Sequence, residues 1–224
     1  MSQKIRSFVL RQGKMTNGQT RAISELLPRY GLSYQTTPCD LNQLFARPAK
    51  KIVEIGFGMG DATWQIARNN PQHDYLAIEV HGPGVGTLLM KIEEHGIANL
   101  RIMRHDAVEV LQNMLAEQSI DGFHIFFPDP WHKQRHHKRR LIQEEFVGLL
   151  LNKLRPGGYL HLATDWEDYA LWMKSIFSKF PALVSQGDPS GFIERPESRP
   201  LTKFEARGHG LGHQVWDLYL KLTE

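Results

Sequence analysis

Lys51-Ile52-Val53-Glu54-Ile55-Gly56-Phe57-Gly58-Met59-Gly60-Asp61 decides how this chain folds. Ile52 to Ile55 is a short run dominated by β-branched residues, the pattern of a strand. The glycines end it, and Ala62 to Arg68 continues at helical spacing. Three glycines at alternate positions let the backbone turn tightly and approach a ligand closely. A generic strand-to-helix turn would use the same residues, so the spacing has to discriminate. A dinucleotide fingerprint puts its third glycine one residue later, where the helix meets a pyrophosphate. Here that glycine comes early, and Glu54 stands inside the motif, where its carboxylate would repel a pyrophosphate. The pattern suits a ligand with a cationic amine and a sulfonium. It speaks against a nicotinamide-dependent oxidoreductase.

Outward from this stretch, short apolar runs alternate with helical ones. Tyr75 to Val80 reads as a second strand. Val85 to His95 reads as a helix with Leu88, Leu89 and Ile92 on one face. Leu100 to Arg104 is a third strand, and Ala107 to Glu117 a helix. Phe123 to Phe127 is a fourth strand, stopped by Pro128. Leu141 to Leu154 is a helix ended by Arg155-Pro156-Gly157-Gly158. Tyr159 to Ala163 is a fifth strand, followed by a helix through Phe177, and Val215 to Leu222 is a final strand. Such alternation specifies an α/β fold, a doubly wound and mostly parallel sheet with helices on both faces. Sheets of this kind bind ligands at the carboxyl ends of their strands. Residues 1–48 are the least regular part, with Lys4, Arg6, Arg11, Lys14 and Arg21 among Gly13, Gly18 and Pro38. They read as a basic, loosely packed N-terminal arm or cap on a single domain over 49–224.

The chain has 224 residues, enough for one domain with a sizeable core. A net charge of only +3 means that any basic surface must come from local clustering. Cys39 is the single cysteine, so no internal disulfide forms, and no Cys/His cluster has zinc spacing. We therefore expect no metal and a cytoplasmic setting. Phe8-Val9-Leu10 is too short for a signal-peptide core, and no apolar stretch has the length of a membrane span. Neither monomer nor homodimer is indicated.

The ends of the remaining strands carry chemistry. Glu79 ends the second, where a carboxylate can accept both hydroxyls of a ribose. His105-Asp106-Ala107 follows the third. Asp106 suits either an adenine edge or a helix N-cap. The fourth strand runs into Phe126-Phe127-Pro128-Asp129-Pro130-Trp131, and two prolines fix the backbone around Asp129. Trp131 offers a flat face for stacking a base. Then Lys133, Arg135, Lys138, Arg139 and Arg140 are interleaved with His132, His136 and His137. On the helix bounds above, this run sits at a helix N-terminus, where positive charge opposes the helix dipole. That cost argues for a partner, and RNA phosphate is the natural one. A solvated surface is the plainer alternative.

The series Glu54, Glu79 and Asp106 resembles the class I S-adenosylmethionine-dependent methyltransferases. Phe-Pro-Asp-Pro-Trp followed by a basic run resembles the TrmB-type tRNA (guanine-N7-)-methyltransferases. Thr164-Asp165-Trp166, Arg199-Pro200-Leu201-Thr202-Lys203-Phe204-Glu205-Ala206-Arg207-Gly208 and Arg11-Gln12-Gly13-Lys14 extend the likeness over nearly the whole chain. His132 stands where many members have Pro, and Lys14 where Arg is frequent. The resemblance implies a Rossmann-like sheet of seven strands with the last antiparallel. It implies S-adenosyl-L-methionine as cofactor, and methylation of guanine N7 in the variable loop of tRNA. Glu54, Gly56, Gly58, Gly60, Glu79, Asp106 and Asp129 are then cofactor-binding, with Asp129 also catalytic. Lys133, Asp165, Thr202, Lys203, Phe204 and Glu205 are substrate-binding. Arg135, His136, His137, Lys138, Arg139 and Arg140 bind RNA. An RNA methyltransferase acting on an exocyclic amine, or a non-catalytic RNA-binding module on this scaffold, are the competing readings.

Overall fold

The structure is a computed structural model describing residues 7–8, 13–202, 205–206, 210, 212 and 214–223. Seven strands form one sheet: β1 (Lys50–Ile55), β2 (His73–Ile78), β3 (Leu100–Met103), β4 (Ile120–Phe126), β5 (Leu154–Thr164), β6 (Leu183–Ser185) and β7 (Trp216–Leu222). Their order is β3-β2-β1-β4-β5-β7-β6. The first five are parallel, and β7 lies antiparallel between β5 and β6. Strand order therefore reverses between β1 and β4, which opens a crevice at their carboxyl ends. β1 and β2 are buried along almost their whole length. That is why both read as continuous apolar runs rather than alternating ones.

The helices are α1 (Asn17–Tyr30), α2 (Leu41–Phe45), α3 (Asp61–Asn69), α4 (Gly82–His95), α5 (Ala107–Asn113), α6 (Glu144–Lys153) and α7 (Glu167–Phe177). Alternate strand residues feed two cores. Val53, Ile55, Leu76, Phe123 and Leu160 pack with Leu111 of α5, Val147 of α6 and Met173 of α7. Ile52, Tyr75, Ala77 and Ile102 pack with Ala22 of α1, Ile66 of α3 and Leu89 of α4 on the opposite face. No helix among the described residues is long and apolar enough to cross a membrane.

Three local differences from the sequence reading have physical causes. Residues 17–30 are a helix rather than irregular arm. Thr16 and Gln19 form a capping box at its start, and Gly86 of α4 lets α1 come close, since a Cβ there would stand 2.8 Å from the Gln19 carbonyl oxygen. Gly18 and Pro28 had obscured its periodicity. β5 begins at Leu154 rather than Tyr159, because Leu154 pairs with Ile120 before the chain bulges out and Tyr159 resumes beside Gly122. β6, with three residues, is too short to show a period.

Candidate active site

The loop after β1 takes a shape that side chains other than glycine resist. Gly56, Gly58 and Gly60 have φ of 77°, 56° and 76°, and Gly60 is also the N-cap of α3. A Cβ on Gly84, in the first turn of α4, would stand 1.9 Å from the Gly58 carbonyl oxygen. Gly84 is thus part of the loop's seat, and the sequence reading missed it because it lies within a different helix.

Glu54 closes the bottom of a cavity of about 1000 Å³. Its side chain is 3% exposed. Oε1 accepts a hydrogen bond from the Thr63 hydroxyl at 3.1 Å, and Oε2 is buried with no partner. Burial pushes its carboxyl up to about 8; the Thr63 hydrogen bond opposes this and the charge of Glu79 adds to it. A buried carboxylate oxygen without a donor is costly unless a ligand supplies one.

Glu79 Oε2 accepts the Gly58 N–H at 2.9 Å, and Oε1 accepts those of Val80 at 2.7 Å and His81 at 3.0 Å. A carboxylate has about four lone-pair sites, which leaves about one for a ribose hydroxyl rather than two. Asp106 caps α5, its Oδ1 accepting the Val108 N–H at 2.9 Å. The N-cap alternative is the one seen, and Asp106 does not line the cavity.

Asp129 is exposed and lines the same cavity, as do Pro128, Pro130, His132, Asp165, Trp166 and Thr202. Phe127 and Trp131, on either side of this loop, have φ of 53° and 48°. Left-handed backbone at two bulky residues costs energy, and such strain gathers at functional sites. Trp166 is 40% exposed, with the His132 ring edge-on at 4.1 Å.

Trp131 is not the free face that its sequence context suggests. Its Nε1–H donates to the Ser7 carbonyl at 3.0 Å, and the Arg139 guanidinium lies 3.9 Å over its ring. Arg139 also donates to the Phe8 carbonyl at 3.3 Å. Among the described residues that line the cavity, Trp166 is the exposed aromatic.

The chain matches a family described as "Putative methyltransferase" over residues 48–218. A tRNA (guanine-N(7)-)-methyltransferase of Neisseria meningitidis serogroup A / serotype 4A is 59% identical over 217 residues, covering 97% of this chain and 90% of that protein. One from Chromobacterium violaceum is also 59% identical over 217 residues, covering 97% of this chain and 95% of its own length. This chain belongs to the tRNA (guanine-N(7)-)-methyltransferase family. The 16S rRNA methyltransferase KamB superposes with a TM-score of 0.57 at 14% identity, over 85% of this chain and 96% of its own. A SAM-dependent methyltransferase from Aquifex aeolicus gives 0.52 at 13% identity, over 82% and 88%. These two share the fold.

The donor end of the cavity fits the cofactor of a methyltransferase of this family. S-adenosylmethionine carries an ammonium group that would satisfy the orphaned Glu54 oxygen, and the side-chain-free Gly56 and Gly58 leave space above the loop.

Elsewhere the structure revises what family likeness and sequence suggested. The basic run is not the N-terminus of α6. Gln134–Arg139 forms a separate 3-10 helix, and α6 starts ten residues after Gln134 with Glu144 and Glu145 in its first turn, as its dipole favours. The basic run therefore does not oppose the dipole of α6, and no RNA partner is needed to offset such a cost. Arg140 is buried, and its guanidinium bonds to Pro130 O at 2.9 Å, to His137 and to Asp168, over the rings of Tyr169 and Trp172. It pins the Asp129 loop and does not offer itself to phosphate. Lys133, Arg135 and Lys138 are exposed, while His136 and His137 are partly buried. Desolvation, followed by the charges of Arg135, Arg139, Lys133 and Lys138, holds His136 below the usual histidine range. Lys133 does not line the cavity.

Glu205 is buried, with both carboxylate oxygens on Arg199 at 2.7 and 2.8 Å, so it is not a direct base contact. Thr202 does line the cavity, and its hydroxyl accepts the Glu205 N–H at 3.1 Å. Lys203, Phe204, Arg11, Gln12, Arg207, Gly208, Lys4 and Arg6 lie outside the described residues. Among the described residues no cluster of His, Cys, Asp and Glu has the arrangement of a metal site.

Proposed function

We propose that this protein transfers the methyl group of S-adenosylmethionine to N7 of a guanine in tRNA, in the cytoplasm. The observation that carries this is one cavity lined both by Glu54, with its unsatisfied carboxylate oxygen, and by Asp129, Asp165 and Thr202. S-adenosylmethionine supplies an electrophilic methyl on a sulfonium. Guanine N7 has a lone pair at neutral pH and needs no base to expose it. The N7–C bond forms as the S–C bond breaks, and positive charge moves onto the guanine ring. The protein's tasks are alignment, which can be worth ~7–11 kcal/mol, and a fixed negative charge beside the developing cation. Asp129, which lines the cavity, takes the second role in this reading. Asp165 offers acceptors that match guanine N1–H and N2–H.

Trp166 takes the stacking role in this reading. Trp166→Ala is expected to weaken productive tRNA binding by ~1–3 kcal/mol, the usual worth of one base on an aromatic ring. S-adenosylmethionine affinity should not move. Calorimetry on both ligands checks this, and an unchanged tRNA KM would remove Trp166 from the site.

The exposed cations Lys133, Arg135 and Lys138 face phosphate in this reading. Replacing all three with Ser should make the salt dependence of tRNA binding shallower by ~0.7–0.9 log units per lost contact. Arg140→Ala, by contrast, should lower thermal stability. Equal salt slopes for wild type and triple variant would favour a merely solvated surface.

The Ser7 and Phe8 contacts to Trp131 and Arg139 support a cap at the start of the 1–48 segment, beside the RNA-facing loop, while α1 within that segment packs into the core of the methyltransferase domain. Nucleoside digestion of methylated tRNA tests the function itself. We expect 7-methylguanosine, and an N2-methylated product would support the exocyclic-amine reading instead.

A further inference from the structure

Arg199 is 1% exposed and does not itself line the cavity. Its guanidinium donates four hydrogen bonds: Nη1 and Nη2 to Glu205 at 2.7 and 2.8 Å, Nε and Nη2 to Asp217 at 2.7 Å each. Asp217 Oδ1 also meets His161 Nε2 at 2.8 Å. The guanidinium stands 5.8 Å from the Phe126 ring centre and 5.5 Å from that of Phe127.

Its partners lie on separate segments of the chain. Glu205 carries the backbone N–H that holds the Thr202 hydroxyl. Asp217 follows Trp216 on β7, and His161 sits on β5. Phe126 and Phe127 lead directly into Pro128 and Asp129. Thr202, Trp216, Phe126, Phe127 and Asp129 all line the cavity, while Arg199, Glu205 and Asp217 do not. One buried side chain therefore ties together three of the pieces of chain that line the cavity, the Asp165-Trp166 segment being a fourth that it does not touch. None of its bonds reaches the glycine loop or Glu54.

We propose that Arg199 is a positioning residue for methyl transfer: it sets Thr202 and the Asp129 loop against the acceptor base without contacting either ligand. The inference deepens the function proposed above and rests on it. A lysine keeps the charge but cannot span two carboxylates bidentately. Small displacements of an aligned reactant cost about 100-fold in rate.

The test measures single-turnover transfer of labelled methyl to saturating tRNA, alongside S-adenosylmethionine affinity and KM for tRNA. It counts methyl on any RNA atom, so it does not depend on the N7 assignment. A wild-type protein that transfers no methyl to RNA contradicts the proposed function itself, whereas the inference is read from how the variants differ from wild type. For Arg199→Lys we expect about a 100-fold lower rate, with donor affinity within about twofold of wild type. Should that variant not fold, Glu205→Gln removes one arm of the clamp. It should lower the rate about tenfold with the same unchanged donor affinity. A rate loss that tracks an equal loss of donor affinity marks a general structural role and overturns the inference. So does a wild-type rate in either folded variant.

Discussion

Asp129→Asn is expected to lower the single-turnover methylation rate by about 10²–10³-fold, the usual cost of deleting one preorganised group that faces developing charge. The substitution keeps the shape of the side chain and the two flanking prolines. It removes the negative charge at the moment positive charge arrives on the guanine. Affinity for S-adenosylmethionine and tRNA should each change by less than about threefold, because the lost interaction belongs chiefly to the transition state. Rapid-quench measurement with saturating tRNA reads the rate, and calorimetry reads the affinities. A loss confined to donor affinity would place Asp129 in cofactor binding alone.

Glu54 carries the second large effect, and its sign can be worked out. Its carboxyl stands near 8 in the folded free protein, against an ordinary value of 4.5. Between those two values the folded chain holds a proton that the unfolded chain has released. Stability of the free protein therefore falls as pH rises through this window, by about 1.4 kcal/mol per unit at most. Binding of a cationic amine requires the carboxylate, so at pH 7 it should release about one proton. Donor affinity should rise from about pH 6 to 7.5, below the range in which an α-amino group loses its own charge. Glu54→Gln should weaken donor binding by ~1.5–3 kcal/mol, the worth of a hydrogen bond to a charged group. The same variant should abolish the proton release and flatten the stability profile. Calorimetry in two buffers of different ionisation enthalpy checks the release, and equal apparent enthalpies in wild type would contradict this role.

The parts of this protein visible in its sequence are those fixed by local rules. The turn at Gly56, Gly58 and Gly60 needs left-handed backbone, which only glycine adopts freely. β1 and β2 are buried on both faces and so read as apolar runs. Asp129 sits between prolines at the end of a strand, where chain direction alone puts it in the crevice. What stayed hidden depends on contacts between distant residues. Arg139 and Arg140 are adjacent in a basic run, yet one lies over Trp131 and the other is buried against Tyr169 and Trp172. Nothing in a run of cations distinguishes them. Glu205 reads as a substrate contact until Arg199 is seen to occupy both its oxygens. Gly84 looks like an ordinary helix residue until the Gly58 carbonyl is found against it.

In the proposed mechanism the methyl group goes to a guanine N7 without a proton being removed there. A tRNA substrate carrying 7-deazaguanine at the methylated position keeps every other base edge and replaces that one nitrogen by C–H. Methyl transfer to this RNA should fall to background while its binding stays within about threefold of the normal tRNA, since a single ring nitrogen contributes about one neutral hydrogen bond or less. Transfer at an undiminished rate would show that the methyl group goes to another atom.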